Sequence, residues 1–296
     1  MDFGLWTLDF GLWTLDIRLI SMQNISLIEA IEKNEKLTFP VKESNKSRLV
    51  GKLRYWWSLS LAGMLLLFIA LPIMIFLRII NRQIWLYPFC MWGAKTWVRG
   101  SGARVEVFGR ENLEADKSYI FVANHHSYLD TTALFAYAGK KLGLVAKKEI
   151  LKVPVLGQGI SFINFLTIDR SNPERARQTI EKARQLVESG YSFGLFAEGT
   201  RAMPGELLPF KKGAFHLALQ TGAAIVPVVF KNTDYIMGKK TGVVNPGTME
   251  IVLLPPVETK NLAEKDLPDL LNKVRGAIAF EMENEKRKTK NVRNLS

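Results

Sequence analysis

One cysteine, Cys90, in 296 residues leaves no partner for an internal disulfide and no multi-cysteine metal set. It sits in an apolar stretch and reads as a small packing or lipid-facing hydrophobe. Acid is also scarce: 28 Asp and Glu stand against 40 Lys and Arg, a formal charge of +12, so anionic partners are expected. Nucleic acid, anionic lipid, a phosphorylated substrate and an acidic carrier protein all satisfy that charge. Gly-x-Ser-x-Gly is missing; the run Gly159-Ile160-Ser161-Phe162-Ile163 lacks the second glycine, which argues against a serine nucleophile elbow. The apolar fraction excludes wholesale disorder, and the length allows one large domain or a domain with an appendage.

The chain opens on a tandem heptapeptide, Asp-Phe-Gly-Leu-Trp-Thr-Leu at 2–8 and again at 9–15, with no further copy. Two copies are too few for a repeat architecture. The expected reading of 1–21 is a duplicated or mis-called start with Met22 as initiator, the alternative being a peptide that touches a membrane. Residues 22–54 form a basic N-terminal segment.

From Tyr55 to Leu77 none of the 23 residues is charged; as a helix this run would reach roughly 34 Å, enough to cross a hydrocarbon core. It begins too far along the chain, and lacks the cleavage site, for a signal peptide. Cations flank it on both sides (Lys42, Lys46, Arg48, Lys52 and Arg54 before; Arg78, Arg82, Lys95 and Arg99 after), so the charge distribution does not select a side. Pro72 is expected to kink the helix. A second apolar stretch, Ile84 to Trp92, is too short to span and rich in aromatics. The region 55–99 therefore reads as a membrane-associated helical pair that dips into or lies on one leaflet, with a plain single span as the alternative.

Beyond Arg99 short β-rich runs alternate with amphipathic helices. Strands are expected at 103–108, 118–123, 142–146, 161–168, 192–197, 225–230 and 249–254. Helices are expected at 173–189, capped by Asn172 and ended by Gly190, at 211–220 and at 267–286. This alternation points to an α/β sandwich with a largely parallel sheet over 100–286, followed by a basic tail over 287–296.

Two constellations carry chemistry. The first, Asn124-His125-His126-Ser127-Tyr128-Leu129-Asp130, follows a strand. On one continuous helix His125 and Asp130 would face apart, but a helix capped by Ser127 lets Asp130 hold one ring nitrogen of His125 and leave the other as a base. The same Ser127-x-x-Asp130 spacing also suits a helix start with no chemistry, and His126 receives no role. The second, Glu198-Gly199-Thr200-Arg201, leaves another strand with backbone N–H groups, a hydroxyl and a guanidinium that suit a phosphate; an ordinary surface loop fits it too. Lys147 and Arg170 can add positive potential to the same cleft.

Together these motifs resemble the glycerophospholipid acyltransferase family, the group containing the 1-acylglycerol-3-phosphate acyltransferases. Its first motif is complete as Asn124, His125, Ser127 and Asp130. The second ends in Ile168, Asp169 and Arg170; the third has Ala197 where proline is usual before Glu198; the fourth has Val226, Pro227 and Val228. The resemblance covers roughly 100–260 and implies an α/β catalytic domain over 100–286, a mixed, largely parallel sheet flanked by helices and preceded by a hydrophobic helical pair at the membrane. It implies a His125–Asp130 catalytic pair, with Glu198, Gly199, Thr200 and Arg201 contacting a lysophosphatidate headgroup and Lys147 beside the site. It implies acyl-CoA or acyl carrier protein as co-substrate, no metal or other cofactor, an anionic membrane and no nucleic acid as partner, and the cytoplasmic face of a bacterial inner membrane as location. Glycerol 3-phosphate and a lyso-aminolipid stay open as acceptors. A hydrolase, a membrane adaptor and a nucleic-acid binder are the rival classes.

Overall fold

The computed structural model describes residues 9–10, 13–14, 22–42, 47–82, 85–168 and 173–293. Most of the tandem heptapeptide lies outside these residues, as do Asp169, Arg170 and the expected cap Asn172; the Lys147 side chain is likewise outside.

The elements run α1 (Met22–Glu32), β1 (Leu37–Thr38), a long helix α2 (Arg48–Ile79), α3 (Leu86–Gly100), β2 (Ala103–Phe108), β3 (Ile120–Ala123), α4 (Tyr128–Tyr137), β4 (Leu142–Lys147) and β5 (Leu166–Ile168). They continue with α5 (Pro173–Glu188), β6 (Ser192–Phe196), β7 (Glu206–Leu207), α6 (Gly213–Thr221), β8 (Ile225–Lys231), α7 (Thr233–Met237), β9 (Gly247–Leu253) and α8 (Leu267–Arg293).

Seven strands form one mixed sheet in the order β2-β9-β8-β3-β6-β4-β5, parallel at every pairing except β8 with β9. The central strands are β-branched and aromatic runs buried on both faces: every residue of β3 and β8 is buried. Alternation along β3 divides the core. Phe121 and Ala123 face a cluster with α4, α7 and the α2–α3 pair, while Ile120 and Val122 face one with α1, α5, α6 and α8. The result is helices on both faces of the sheet, as the strand and helix alternation predicts.

The segment expected as a strand at 161–168 differs. Ile160–Ile163 is a 3-10 turn closed by Asn164 in the left-handed region (φ 58°), and only Leu166–Ile168 pairs. Phe162 and Ile163 pack into the core from that turn, so an apolar run too short to show a period was filled by helical burial instead.

Helix α2, 32 residues, is long and apolar enough to cross a membrane. Its turns widen to π geometry over Leu65–Ala70, just before Pro72, where the chain must accommodate the proline ring and its missing N–H. The pair is an antiparallel hairpin. At its base Trp57 Nε1 donates to Gly100 O (3.1 Å), the Ser58 and Ser101 hydroxyls are 2.6 Å apart, and Trp97 Nε1 donates to Ser58 O (3.0 Å). The hairpin also docks along its length on the domain. Val244 N–H bonds Gly51 O (2.9 Å) near one end of α2, and Met74 and Leu77 enter the core near the other. Both ends of α2 therefore stay against the domain. Its outer face exposes Trp56, Phe68, Phe76, Ile79 and Trp85, the extremes being Phe68 at 74% and Ile79 at 76%.

Candidate functional site

The site forms at the carboxyl ends of the neighbouring strands β3, β6 and β8, where open parallel sheets leave a crevice. Backbone pairing of β3 with β8 ends at Ala123–Val228, and the buried Asn124 side chain then extends it. Its Nδ2 donates to Phe230 O (3.0 Å) and its Oδ1 accepts from Phe230 N–H (2.8 Å). This reciprocal amide fixes the direction in which the next two residues leave the strand.

Ser127 is extended (φ −132°, ψ 155°) and caps α4, with its Oγ accepting from Leu129 N–H (3.1 Å). The helix thus starts at Tyr128, and His125 projects from the turn before it. Asp130, fully buried, turns back so that its Oδ2 faces His125 Nδ1 (3.0 Å), His126 N–H (2.7 Å) and Ser127 N–H (2.7 Å). One carboxylate oxygen therefore meets both the backbone donors of the helix cap and the imidazole. The partner oxygen Oδ1 has no hydrogen bond among the described residues. His125 thus turns Nδ1 to Asp130 and Nε2 away from it. The ring, 15% exposed, stacks on Phe196 with centroids 4.1 Å apart.

The Glu198–Arg201 segment wraps this histidine through its backbone. His125 N–H donates to Glu198 Oε1 (2.7 Å), and His125 O accepts from Ala202 N–H (2.7 Å). Gly199 turns the chain in the left-handed region (φ 72°), where a side chain would be strained. Thr200 is exposed, and the Arg201 guanidinium lies 3.5 Å from the ring centroid of the half-exposed Tyr128. Lys239 Nζ donates to Arg201 O, adding a second cation at this loop. Lys147 ends β4, two strands from β3 in the sheet.

Glu198 departs from its expected role as a headgroup contact. It is 2% exposed, and its second oxygen accepts from Leu208 N–H (2.9 Å), so its carboxylate closes the loop's two limbs onto His125. Burial pushes this carboxyl up to about 8, against the pull of the Leu208 and His125 N–H donors and of Arg275, with the Asp130 charge adding to the rise. A folded-state pKa above the ordinary 4.5 means that the unfolded chain ionises first. Stability from the neutral group is therefore complete below about 4.5 and lost as pH rises through 8. Glu198→Gln does not titrate, so the stability of the wild type relative to this variant should fall by on the order of 1 kcal/mol per pH unit between about pH 5 and 7. Paired thermal melts across that range check it; a difference independent of pH contradicts it.

Residues 104–231 match the family model described as Acyltransferase. Over that stretch the chain is similar to the acyltransferase family. Among its relatives is the 1-acyl-sn-glycerol-3-phosphate acyltransferase of Saccharomyces cerevisiae, 41% identical over 177 residues, covering 59% of this chain and 58% of that protein. The enzyme of the same name from Limnanthes douglasii is 35% identical, over 64% of this chain and 66% of its own length. The chain thus spans about three fifths to two thirds of these curated relatives. The crystal structure of the 1-acyl-sn-glycerophosphate (LPA) acyltransferase PlsC from Thermotoga maritima superposes with a TM-score of 0.67 at 24% identity. It covers 81% of this chain and 98% of that one, a likeness that establishes the fold.

Three further residues at the site carry no motif in the sequence. His126 was given no role, yet it is buried, with Nδ1 3.2 Å from Asn124 Nδ2 and Nε2 2.6 Å from Glu206 O, so it ties the β3 turn to the far limb of the loop. Tyr128 supplies the platform for Arg201. Lys239 lies in a glycine-bounded basic turn, Gly238-Lys239-Lys240-Thr241-Gly242, more than a hundred residues from His125; two glycines around paired lysines were the available signal.

Proposed function

We propose that this protein transfers a fatty acyl group from an acyl thioester to the free hydroxyl of 1-acyl-sn-glycerol-3-phosphate, giving phosphatidic acid. The observation that carries the reading is the joining of two chemistries at one turn: the imidazole paired with Asp130 belongs to the residue whose N–H and C=O both bond the loop bearing Arg201. The named activity of the relatives supports the acceptor.

His125 Nε2 takes the proton of the acceptor hydroxyl as its oxygen attacks the thioester carbonyl. Asp130 orients the ring and stabilises the imidazolium; with Oδ1 lacking a hydrogen-bond donor among the described residues, that cation is its natural counter-charge. The tetrahedral intermediate, its oxyanion met by backbone N–H groups or Lys147, collapses with loss of the thiolate, which recovers the proton from His125. No acyl-enzyme forms, and the scheme uses no metal or organic cofactor. Arg201, with Gly199 and Thr200, grips the acceptor phosphate and so presents the hydroxyl to His125; Arg170 and Lys239 add positive charge. Acyl-CoA and acyl carrier protein are both anionic donors suited to the +12 chain.

The outer face of the α2–α3 hairpin is the membrane contact in this reading. Because α2 touches the domain near both of its ends, the pair lies along the domain and beds into one leaflet rather than projecting across two. Water-soluble thioesters then reach the site from the cytoplasmic face of the membrane, here a bacterial inner membrane.

The test is an acyl-transfer assay on the purified protein with lysophosphatidate and each donor. Arg201→Ala should raise KM for lysophosphatidate by about 10- to 100-fold with kcat nearly unchanged, because it removes binding that is uniform along the reaction. An equal loss toward a neutral alcohol acceptor argues against a phosphate contact.

A further inference from the structure

The segment between α1 and the apolar hairpin makes contacts that the transfer scheme does not use, and they fall on the loop that carries Arg201. Asn34, itself in the left-handed region (φ 51°), forms a reciprocal pair with Phe210: Nδ2 donates to Phe210 O (2.9 Å) and Oδ1 accepts from Phe210 N–H (2.8 Å). Strand β1 pairs antiparallel with β7, Leu37 opposite Leu207 and Thr38 opposite Glu206, and Lys36 Nζ meets Glu206 Oε1 at 3.0 Å. Phe39 N–H then donates to Gly205 O (2.6 Å). At Gly205 a glycine is required twice over: φ is 76°, and a Cβ there would stand 2.4 Å from Phe39 O.

The contact is anchored from below. Arg275 of α8 is fully buried, and its guanidinium donates to the carbonyls of Ala30 (3.0 Å), Ile31 (3.3 Å) and Glu35. Ile31, Leu37, Leu207 and Phe210 are buried in the same core cluster. From β7 the linkage continues to the site through Glu206 O to His126 and through Leu208 N–H to Glu198, which holds His125. A buried cation spent on three carbonyls of an N-terminal turn, far in sequence from the loop that turn braces, marks a specified linkage rather than incidental packing.

We propose that residues 30–39 form a strap that positions the 199–208 loop, so that affinity for the phosphate-bearing acceptor depends on a segment preceding the membrane hairpin. This rests on the reading of Arg201 as the phosphate grip. Asn34 and Gly205 are positioning residues that act through the loop, and the thioester donor does not sense them.

Asn34→Gly cuts the Phe210 pair while keeping a residue at ease with positive φ; Gly205→Ala cuts the strap at Phe39. In full-length protein each should raise KM for lysophosphatidate by about five- to tenfold, an effect in the range of two lost hydrogen bonds, with kcat and donor KM within twofold. Amide exchange over 199–210 should speed up while the central strands stay protected. Acceptor KM within twofold of wild type in Asn34→Gly overturns the strap, as does a rise in both KM values together, which is general loosening. Wild type that binds lysophosphatidate without acylating it refutes the transferase reading; calorimetric affinity for lysophosphatidate in wild type and Asn34→Gly then decides the strap, equal values overturning it. Wild type that does not bind lysophosphatidate overturns both.

Discussion

His125→Ala lowers kcat for acyl transfer by about 10²–10⁴-fold, the span ordinarily lost with a general base. The size follows from what the ring does and does not do. Its Nδ1 is occupied by Asp130, its flank rests on Phe196, and Nε2 alone is left for the acceptor proton. The backbone N–H and C=O that bond Glu198 and Ala202 survive the substitution, so the Arg201 loop stays where it was. Acceptor KM should therefore move by less than about threefold, since binding common to ground and transition states is untouched. Initial rates of thiol release at saturating lysophosphatidate check both numbers. A kcat within tenfold of wild type would mean that another group takes the proton.

Asp130→Asn has an effect of similar size by a different route, with kcat down about 10²–10⁴-fold. Asparagine keeps the shape but not the charge, so the imidazolium loses its counter-ion. Oδ2 of the carboxylate faces three donors, the His125 ring and the N–H groups of His126 and Ser127. An amide that turns its oxygen to the two backbone donors still lacks the charge-assisted bond to the ring; one that turns its nitrogen to them leaves buried N–H groups unpaired. The variant should therefore also lose about 1–3 kcal/mol of stability, read as a lowered Tm. His125→Ala leaves both backbone donors of the cap paired with Asp130, so the pair of variants separates chemistry from capping. Equal destabilisation with kcat preserved would leave Asp130 as a helix cap and nothing more.

Much of this is legible in the sequence because the signals are local. Strand β3, the Ser127 cap and Asp130 in the first turn of α4 follow from residue types over eleven positions, and that spacing is what allows a histidine and an aspartate five apart to meet. The parallel sheet follows from buried runs such as Ile225–Lys231 alternating with the amphipathic Pro173–Glu188. The outward reading of Glu198 as a headgroup contact comes from the family resemblance and not from its neighbours. Its inward turn depends on two backbone donors, His125 and Leu208, that only the folded chain brings to it. The strap was invisible for the same reason: nothing near Asn34 announces Phe210, 176 residues away. The turn at Ile160–Ile163 was misread because eight apolar-rich residues carry no decisive period.

The most direct measurement is thiol release from an acyl thioester by the purified protein, with and without lysophosphatidate, in wild type and His125→Ala side by side. The account predicts release that requires the acceptor, matches phosphatidic acid formed mole for mole, and collapses in the variant. Release that proceeds without an acceptor, or that survives loss of the imidazole, would contradict it.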